Sequence, residues 1–443
     1  MVEAAKCGLP ALAICSTAFA GLGRSQARAL GHPDLPIAIM PHPFGLRARD
    51  ELPRLAAELV GDISRLLCGS DVPDPSAVAE SSLALPRAAL VEVPDELEQL
   101  NRYFLKRRWG DGLPVIPPTQ ERVARMLRHT RRAPDEIVGR IAPAYGAATV
   151  EHIAINAVLA GCYDEYLPVL IAAAEAVAAP EFNLQGIQST TNPGAVLLII
   201  NGPIARRLGV NSGNNCLGQG NWANATLGRA LRLILQNIGG ALPGEMDRAT
   251  HGQPGKYTFC CAENEEANPW EPLHVERGFA RDSSTVTVVP PLGTWNLNSH
   301  AKDAGDLLRV MADTIAFPMG SDYVYGGGAP WLVLSPEHAH VLKRDGLSKA
   351  EVKRRLWEQS KLKASRLSAK DFARTQNGRR AELGEITRET LLPISPRPES
   401  IGIIVAGGPG THSVYMPGSG YTRSAITRQV VVSDEAGAFS RQA

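Results

Sequence analysis

Apolar and polar positions near the N-terminus follow the rhythm of a small parallel sheet. Ala11–Cys15 and Ile37–Met40 are short, uninterrupted apolar runs, which predict buried strands. Ala18–Leu30 follows two cap residues, Arg49–Leu67 is amphipathic, and Val2–Cys7 has the character of a helix end. The order helix, strand, helix, strand, helix predicts parallel pairing. Two strands cannot bury both faces of such a sheet, so we expect it to be only part of a domain.

Composition then divides the 443-residue chain into two α/β domains. Residues 1–68 form the partial parallel-sheet domain, and residues 69–93 are rich in Pro, Ser, Asp and Ala, which is typical of a linker. Residues 94–432 form a larger α/β domain, and residues 433–443 are expected to be a flexible tail.

The larger domain contains two similar stretches, which we interpret as a divergent internal duplication. The first runs from the helix Glu165–Ala178 to the strand Ala195–Ile200, and the second from the helix Ala304–Phe317 to the strand Trp331–Leu334. Each strand ends in a polar residue and a proline that opens a helix. Because αβα units are common, chance similarity is the alternative.

Charge and apolar content exclude some classes of partner. The chain has 46 basic and 45 acidic residues, so we expect no nucleic acid and no membrane surface as partners. No stretch approaches the ~20 apolar residues of a membrane span. The apolar run Leu9–Leu22 resembles a signal peptide, but its weakly charged start and turn residues favour a core strand and a cytoplasmic protein. Seven irregularly spaced cysteines do not indicate a disulfide framework.

Two loops rich in glycine and side-chain amides are the leading candidates for binding a small molecule. Backbone N–H groups at a helix start and glycines that allow close approach favour a small polar or anionic ligand. The alternative is a surface loop held by Asn turns. The candidate binding residues, with two from a third polar loop before a strand, are Asn211, Ser212, Asn214, Asn215, Asn221, Gly407, Gly408, Gly410, Gln188 and Thr190.

Three side chains are candidates for catalysis. Asp111 lies between two glycines in a rigid, proline-rich loop, which suits a general base or a cation ligand. His412 follows the second glycine loop and can carry a proton near neutral pH. Cys216 lies near a helix start, where a thiolate is favoured, and is the cysteine to test for reactivity. The adjacent Cys260 and Cys261 are assigned to packing on opposite faces of a strand.

A weak metal site is a further hypothesis. Glu263 and Glu265 fall on one face after a strand, and His274 follows shortly. Such a set could bind a hard or borderline metal. A solvated acidic loop is the alternative. No cofactor can be assigned from these motifs.

The N-terminal residues also resemble a known family. Val2–Phe19, Ala29–Ile37 and Pro41–Pro43 closely resemble the UGSC family, named for a selenocysteine- or cysteine-Gly-Ser-Cys motif. These proteins look like relatives of selenoprotein reductases that act on glycine and proline. The resemblance implies redox chemistry for the complete system. The motif should precede the helix containing Val2 and is absent from this sequence, so no redox residue is carried over.

These observations lead to three functional hypotheses. The first is a component of a thiol- or selenol-dependent oxidoreductase acting on a small polar molecule. The second is a lyase or hydrolase that uses Asp111 and His412, and the third is a binding or scaffold subunit without chemistry. We expect a homo-oligomer, or a partner subunit that carries the redox motif.

The missing strand generates a prediction about the gene. A parallel crossover joins strand, helix and strand, so the helix Val2–Cys7 needs a strand before it. We expect the DNA upstream of Met1 to continue in frame through an apolar strand, then Cys-Gly-Ser-Cys or a TGA codon followed by Gly-Ser-Cys. Sequencing that stretch checks the prediction. Unrelated upstream sequence would instead favour a separate partner subunit.

Overall fold

A computed structural model of the chain describes residues 1–44, 47–48, 50–68, 87–317, 320–326, 328–420 and 425–432. Most of the predicted linker and the whole predicted tail lie outside these ranges, as does Gly327.

The N-terminal part has the predicted order of elements. Its helices and strands are α1 Val2–Lys6, β1 Ala13–Ser16, α2 Ala20–Ala29, β2 Ile37–Met40 and α3 Leu52–Cys68. β1 and β2 pair in parallel, with Ala13 opposite Ile37. This part contacts the rest of the chain through Gln26, whose side chain donates to the carbonyl of Pro143 at 2.6 Å.

Residues 94–289 contain more helix than strand. Their elements are α4 Leu97–Lys106, α5 Gln120–Leu127, β3 Ile137–Ile141, β4 Gly146–Thr149, α6 Val150–Ala160, α7 Leu167–Ala178, α8 Leu184–Gln188, β5 Leu197–Asn201, α9 Pro203–Arg207, α10 Trp222–Asn237, β6 Cys260–Ala262, α11 Leu273–Glu276 and β7 Thr285–Val289.

The part of the chain after β7 continues with similar units. Its elements are β8 Trp295–Asn298, α12 Ala304–Ile315, α13 Ser321–Tyr325, β9 Trp331–Leu334, α14 Pro336–Arg344, α15 Lys349–Gln359, β10 Leu362–Lys363, α16 Ala369–Leu383, β11 Leu391–Leu392, β12 Gly402–Val405, β13 His412–Met416 and β14 Ile426–Gln429. The molecule is therefore a mixed α/β protein, as predicted.

Two four-stranded sheets form the centre of the structure after the N-terminal part. Their strand orders are β14–β7–β5–β6 and β12–β9–β13–β8. Alternate residues of β5 point to opposite faces: Leu198 and Ile200 pack on helices, whereas Leu197 and Ile199 join an apolar layer that also contains Val333 of the second sheet. The sheets thus pack face to face with helices outside. Full burial of each such side chain stabilises the fold by about 1.5–3 kcal/mol.

Both sheets have the same pattern of pairing. Each has one parallel pair, β5 with β6 and β9 with β12, and an antiparallel third strand, β7 or β13. The strand that follows β7 along the chain is β8, and it pairs with β13 of the other sheet. The strand that follows β13 is β14, and it pairs with β7 of the first sheet. This symmetry agrees with an internal duplication, which itself stays a prediction.

The carboxyl ends of the parallel pairs lie at the same side of the two sheets. The N–H of Asn264, just after β6, donates to the carbonyl of Val405 at the end of β12 at 2.8 Å. Loops that leave β5, β6 and β12 are therefore brought together, which is the side of an α/β sheet where ligands usually bind.

Among the described helices, none is by itself long and apolar enough to cross a membrane. Only Asp164–Ala178 together with Pro180–Gln188, bent by 71°, meets the length and composition test as a pair.

A buried carboxyl group organises the segment around α13. Asp322 is fully buried, and its Oδ2 accepts hydrogen bonds from the Tyr415 hydroxyl at 3.2 Å and the Gly418 N–H at 3.0 Å. A Cβ added at Gly328 would lie 1.5 Å from Asp322 Oδ1, so the backbone closes directly on the carboxyl group. Burial raises the pKa of Asp322 to about 7.

Replacement of this carboxyl group should change how stability depends on pH. In the unfolded chain Asp322 ionises near pH 4, whereas in the folded protein it keeps its proton until about pH 7. The unfolded state then binds fewer protons between these values, so stability falls as pH rises, by roughly 4 kcal/mol from this group. Between pH 5 and pH 8 this component amounts to roughly 3 kcal/mol, and Asp322→Asn should lack it in denaturant unfolding measured at those two pH values. Identical pH dependence in both proteins would contradict this account.

Candidate functional site

The two predicted ligand loops meet at the carboxyl side of the sheets. Residues 211–221 lead into α10, and residues 406–411 connect β12 to β13. The N–H of Gly407 donates to the carbonyl of Ser212 at 2.8 Å. A Cβ added at Gly408 would lie 1.5 Å from Asn214 Oδ1, so the glycine lets the Asn214 side chain lie directly against the second loop.

Most amide side chains of the first loop hold its shape. Asn224 of α10 donates to the carbonyls of Asn211 at 3.0 Å and Cys216 at 2.9 Å. Asn221 caps α10 by accepting from the Asn224 N–H at 3.0 Å, and Asn215 donates to the Gln219 carbonyl at 2.7 Å. These contacts favour the alternative of a loop held by Asn turns.

Asn214 differs from the other asparagines of this loop. Its side chain is exposed and makes no hydrogen bond to any residue that the structure describes. Asn214 is therefore the amide of the loop that is best placed to contact a ligand. In the second loop, Gly410, which is predicted as a binding residue with Gly407 and Gly408, has a φ of +153°.

A pair of thiols lies beneath the meeting point of the loops. Cys261 of β6 faces the apolar layer between the sheets, and Cys216 of the first loop reaches the same layer. Both cysteines are free, with Cys216 6% exposed and Cys261 completely buried. The two thiols are close enough to shift each other's pKa.

The surroundings give the two thiols opposite acid strengths. The hydrogen bond from Cys261 lowers the pKa of Cys216 most, and the N–H groups of Cys216, Gly407 and Leu217 add to this effect against the opposing effect of burial. The same bond, together with burial, raises the pKa of Cys261 well above its usual value. Cys216 is therefore the thiol of the pair that is favoured as a thiolate, and Cys261 is favoured in its protonated form.

The other buried cysteines lack such stabilisation. Cys260 points to the helical side of its sheet, where burial raises its pKa. Burial also raises the pKa of Cys162 to about 12. The assignment of Cys260 to packing agrees with this environment, whereas the partner role of Cys261 was missed. Alternation along a strand predicts that Cys260 and Cys261 lie on opposite faces of the sheet, but the sequence does not show which of these faces contacts Cys216.

The predicted metal ligands form a hydrogen-bonded brace. Glu263 is buried and accepts from the Asn201 side chain at 2.6 Å, the Asn268 side chain at 2.8 Å and the Leu273 N–H at 2.7 Å. Burial raises its pKa. Because N–H donors already surround both carboxyl oxygens, this geometry does not favour metal binding.

Glu265 and His274 continue this brace. Glu265 accepts from the Gly202 N–H at 2.6 Å, and its Oε1 lies 3.8 Å from Nδ1 of the buried His274. Within the described ranges, no three His, Cys, Asp or Glu side chains are grouped so that they could hold a metal ion. The set connects the ends of β5 and β6 and supports the strand that carries Cys261.

Asp111 is bound in an ion pair on α10. Its two carboxylate oxygens accept from Nε and Nη2 of Arg229 at 2.7 and 2.9 Å, and both side chains are largely buried. His412, at the start of β13, is exposed and pairs with Asn296 Oδ1 at 3.1 Å. Asp111 and His412 share no hydrogen bond or ion pair, so the arrangement does not favour a general base that combines them.

Gln188 and Thr190 precede β5 and therefore lie away from the loops that follow the strands. Gln188 accepts from Arg232 Nη1 at 2.9 Å, and the Thr190 hydroxyl accepts from the Asn192 N–H at 3.1 Å. Arg232 belongs to a buried charged network with Asp247 and Lys256 that sequence reasoning missed. Both predicted residues thus have local structural partners.

Fold and site together define a mixed α/β protein with a buried thiol pair between two sheets. Residues 1–69 match the model of the UGSC family, which confirms the resemblance of the N-terminal part. The match covers 69 of the 443 residues. No curated protein and no solved structure matches the chain.

Removal of the Cys261 thiol should shift the titration of Cys216. Cys261→Ala deletes the hydrogen bond that lowers the pKa of Cys216, whereas Cys261→Ser retains a hydroxyl donor. Iodoacetamide alkylation of Cys216, measured from pH 6 to 10 by peptide mass spectrometry, should move to higher pH in the Ala variant and less in the Ser variant. Cys260→Ala is the control and should match the parent. Equal profiles in all four proteins would contradict the assignment.

Proposed function

We propose that this chain is the dithiol component of a thiol- or selenol-dependent oxidoreductase that acts on a small polar molecule. The contact between Cys216 and Cys261 carries the proposal, because one thiol is favoured as a thiolate and the other is beside it. The UGSC match of residues 1–69 supports the same class of chemistry for the complete system.

The burial of the pair suits a small reactant. Cys216 is 6% exposed beneath a loop whose glycines leave little side-chain bulk above it. A large disulfide-bonded protein could not bring its sulfur atoms to such a thiol without moving the loop. The exposed Asn214 side chain lies beside Gly408 and can hydrogen-bond to a polar reactant.

The proposed reaction is a two-step thiol–disulfide exchange. The Cys216 thiolate attacks one sulfur of a small disulfide, forms a mixed disulfide and releases one thiolate. Cys261 then gives up its proton and attacks the Cys216 sulfur, which releases the second thiolate. The two protons lost by the cysteines end on the two released thiolates. Two electrons pass from the cysteines to the substrate.

A second exchange must restore the reduced pair. A dithiol or selenol–thiol reductant would attack the Cys216–Cys261 disulfide, return two electrons and two protons, and become oxidised itself. We propose that the redox motif implied by the family resemblance supplies this reductant, on a partner subunit or on a longer form of the chain.

Mapping of the oxidised protein tests the proposal. The full chain, with the exposed Cys7 and Cys68 replaced by serine, is reduced, freed of reductant and treated with bis(2-hydroxyethyl) disulfide at pH 7.5. Peptide mass spectrometry after acid quenching should find a Cys216–Cys261 disulfide. The same treatment of Cys261→Ser should stop at a mixed disulfide on Cys216, because the second attacking thiol is gone.

Two further variants test whether the oxidation is specific to the Cys216–Cys261 pair or reflects the general reactivity of thiols. Cys216→Ser should form neither product, and Cys260→Ser should form the same disulfide as the parent because Cys260 faces away. If Cys216 and Cys261 stay reduced in the parent, the proposed thiol–disulfide exchange by this pair is excluded. The binding-subunit hypothesis would then be favoured.

A further inference from the structure

A cavity lies beside the 406–411 loop that connects β12 to β13. It has a volume of about 460 Å³ and is lined by α14, by the segment after β8 and by Thr411, which closes the loop that begins at Gly407. The position is the carboxyl end of β9, where ligands of α/β sheets usually bind. None of the residues predicted from the sequence lines this cavity.

The rim of this cavity carries more basic than acidic side chains. We call this cavity the basic pocket. Its charged and titratable lining residues are His300, Lys302, Glu337, His338, His340 and Arg344. Lys302 and His340 are exposed, and neither makes an ion pair or side-chain hydrogen bond to any residue of the described ranges. Glu337 is the single carboxylate in the lining.

Arg344 is held in place at the rim. Its Nε donates to Asp345 at 2.9 Å, and its Nη2 donates to the carbonyl of Lys302 at 2.5 Å. The second contact joins the two walls of the pocket and fixes the backbone that carries Lys302. The lysine side chain itself remains free to meet a ligand.

The floor of the pocket is neutral and fixed. His338 is buried, its Nε2 faces the carbonyl of Ser299 at 2.9 Å, and its Nδ1 lies 2.7 Å from the Ser413 hydroxyl. Since a carbonyl can only accept, Nε2 carries the proton and Nδ1 accepts from Ser413. Burial lowers the pKa of His338, so the charge of the pocket comes from its rim.

We infer that the basic pocket binds a small oxoanion, a phosphate or a carboxylate group, through Lys302 and His340, opposed by Glu337. A mobile ammonium and an imidazole on facing walls can donate hydrogen bonds to one anionic group that enters between them. Anion binding in the basic pocket does not depend on the chemistry of the Cys216–Cys261 pair and is an addition to the proposed function.

Binding is tested on the full chain carrying Cys216→Ser, so that the outcome is independent of redox activity. Its melting temperature is measured at pH 7.0 while sodium phosphate, or in a second arm sodium acetate, replaces sodium chloride at constant ionic strength. A saturable rise is expected for at least one of the two anions, because ligands that bind the folded state stabilise it. The arm that saturates identifies which oxoanion fits.

Variants locate the site. Lys302→Ala and His340→Ala should each weaken binding about threefold to tenfold, and Glu337→Gln should tighten it about twofold to fivefold. Lys361→Ala is the matched control, since Lys361 lies over the Trp357 ring outside the pocket, and should bind like the parent. No saturable rise with either anion, or equal affinity in Lys302→Ala, His340→Ala and Lys361→Ala, would overturn the inference.

Discussion

The apolar layer between the two four-stranded sheets fixes the position of both thiols. Leu197 and Ile199 of one sheet and Val333 of the other leave no room for the sheets to slide without exposing apolar surface. Cys261 belongs to a strand that contributes to this layer, and Cys216 of the 211–221 loop packs into the same layer. The contact between two cysteines 45 positions apart is therefore a consequence of sheet packing, not of a local motif.

Around this layer, hydrogen bonds hold the loops that make the thiols chemically unequal. The Gly407 N–H bonds the Ser212 carbonyl, and Asn224 bonds the carbonyl of Cys216. On the other side, Glu263 and its amide donors brace the end of β6. A rigid shell of this kind positions a reactive group more reliably than a mobile loop does. It keeps the Cys261 thiol directed at Cys216.

Local features were predictable from the sequence, and features that depend on distant pairing were not. The N-terminal element order and the polar loops at Asn211 and Gly407 follow from apolar runs, caps and glycines. The sequence predicts only a packing role for Cys261, because side-chain alternation along a strand shows that Cys260 and Cys261 lie on opposite faces of the sheet but not which residues each face contacts. Asp111 resembled a catalytic acid because its partner Arg229 lies 118 residues away. The cavity of the basic pocket combines residues from four separated segments, and no local pattern indicated it.

The central claim is that Cys216 and Cys261 act as one redox unit. Its most direct test is a redox titration of the full chain in glutathione buffers of known potential, with the oxidation of each cysteine followed by isotope-coded alkylation and mass spectrometry. The account predicts that both residues oxidise together along one two-electron curve, while Cys162 and Cys260 remain reduced. Separate midpoints for Cys216 and Cys261, or no oxidation of Cys261 at any potential, would contradict it.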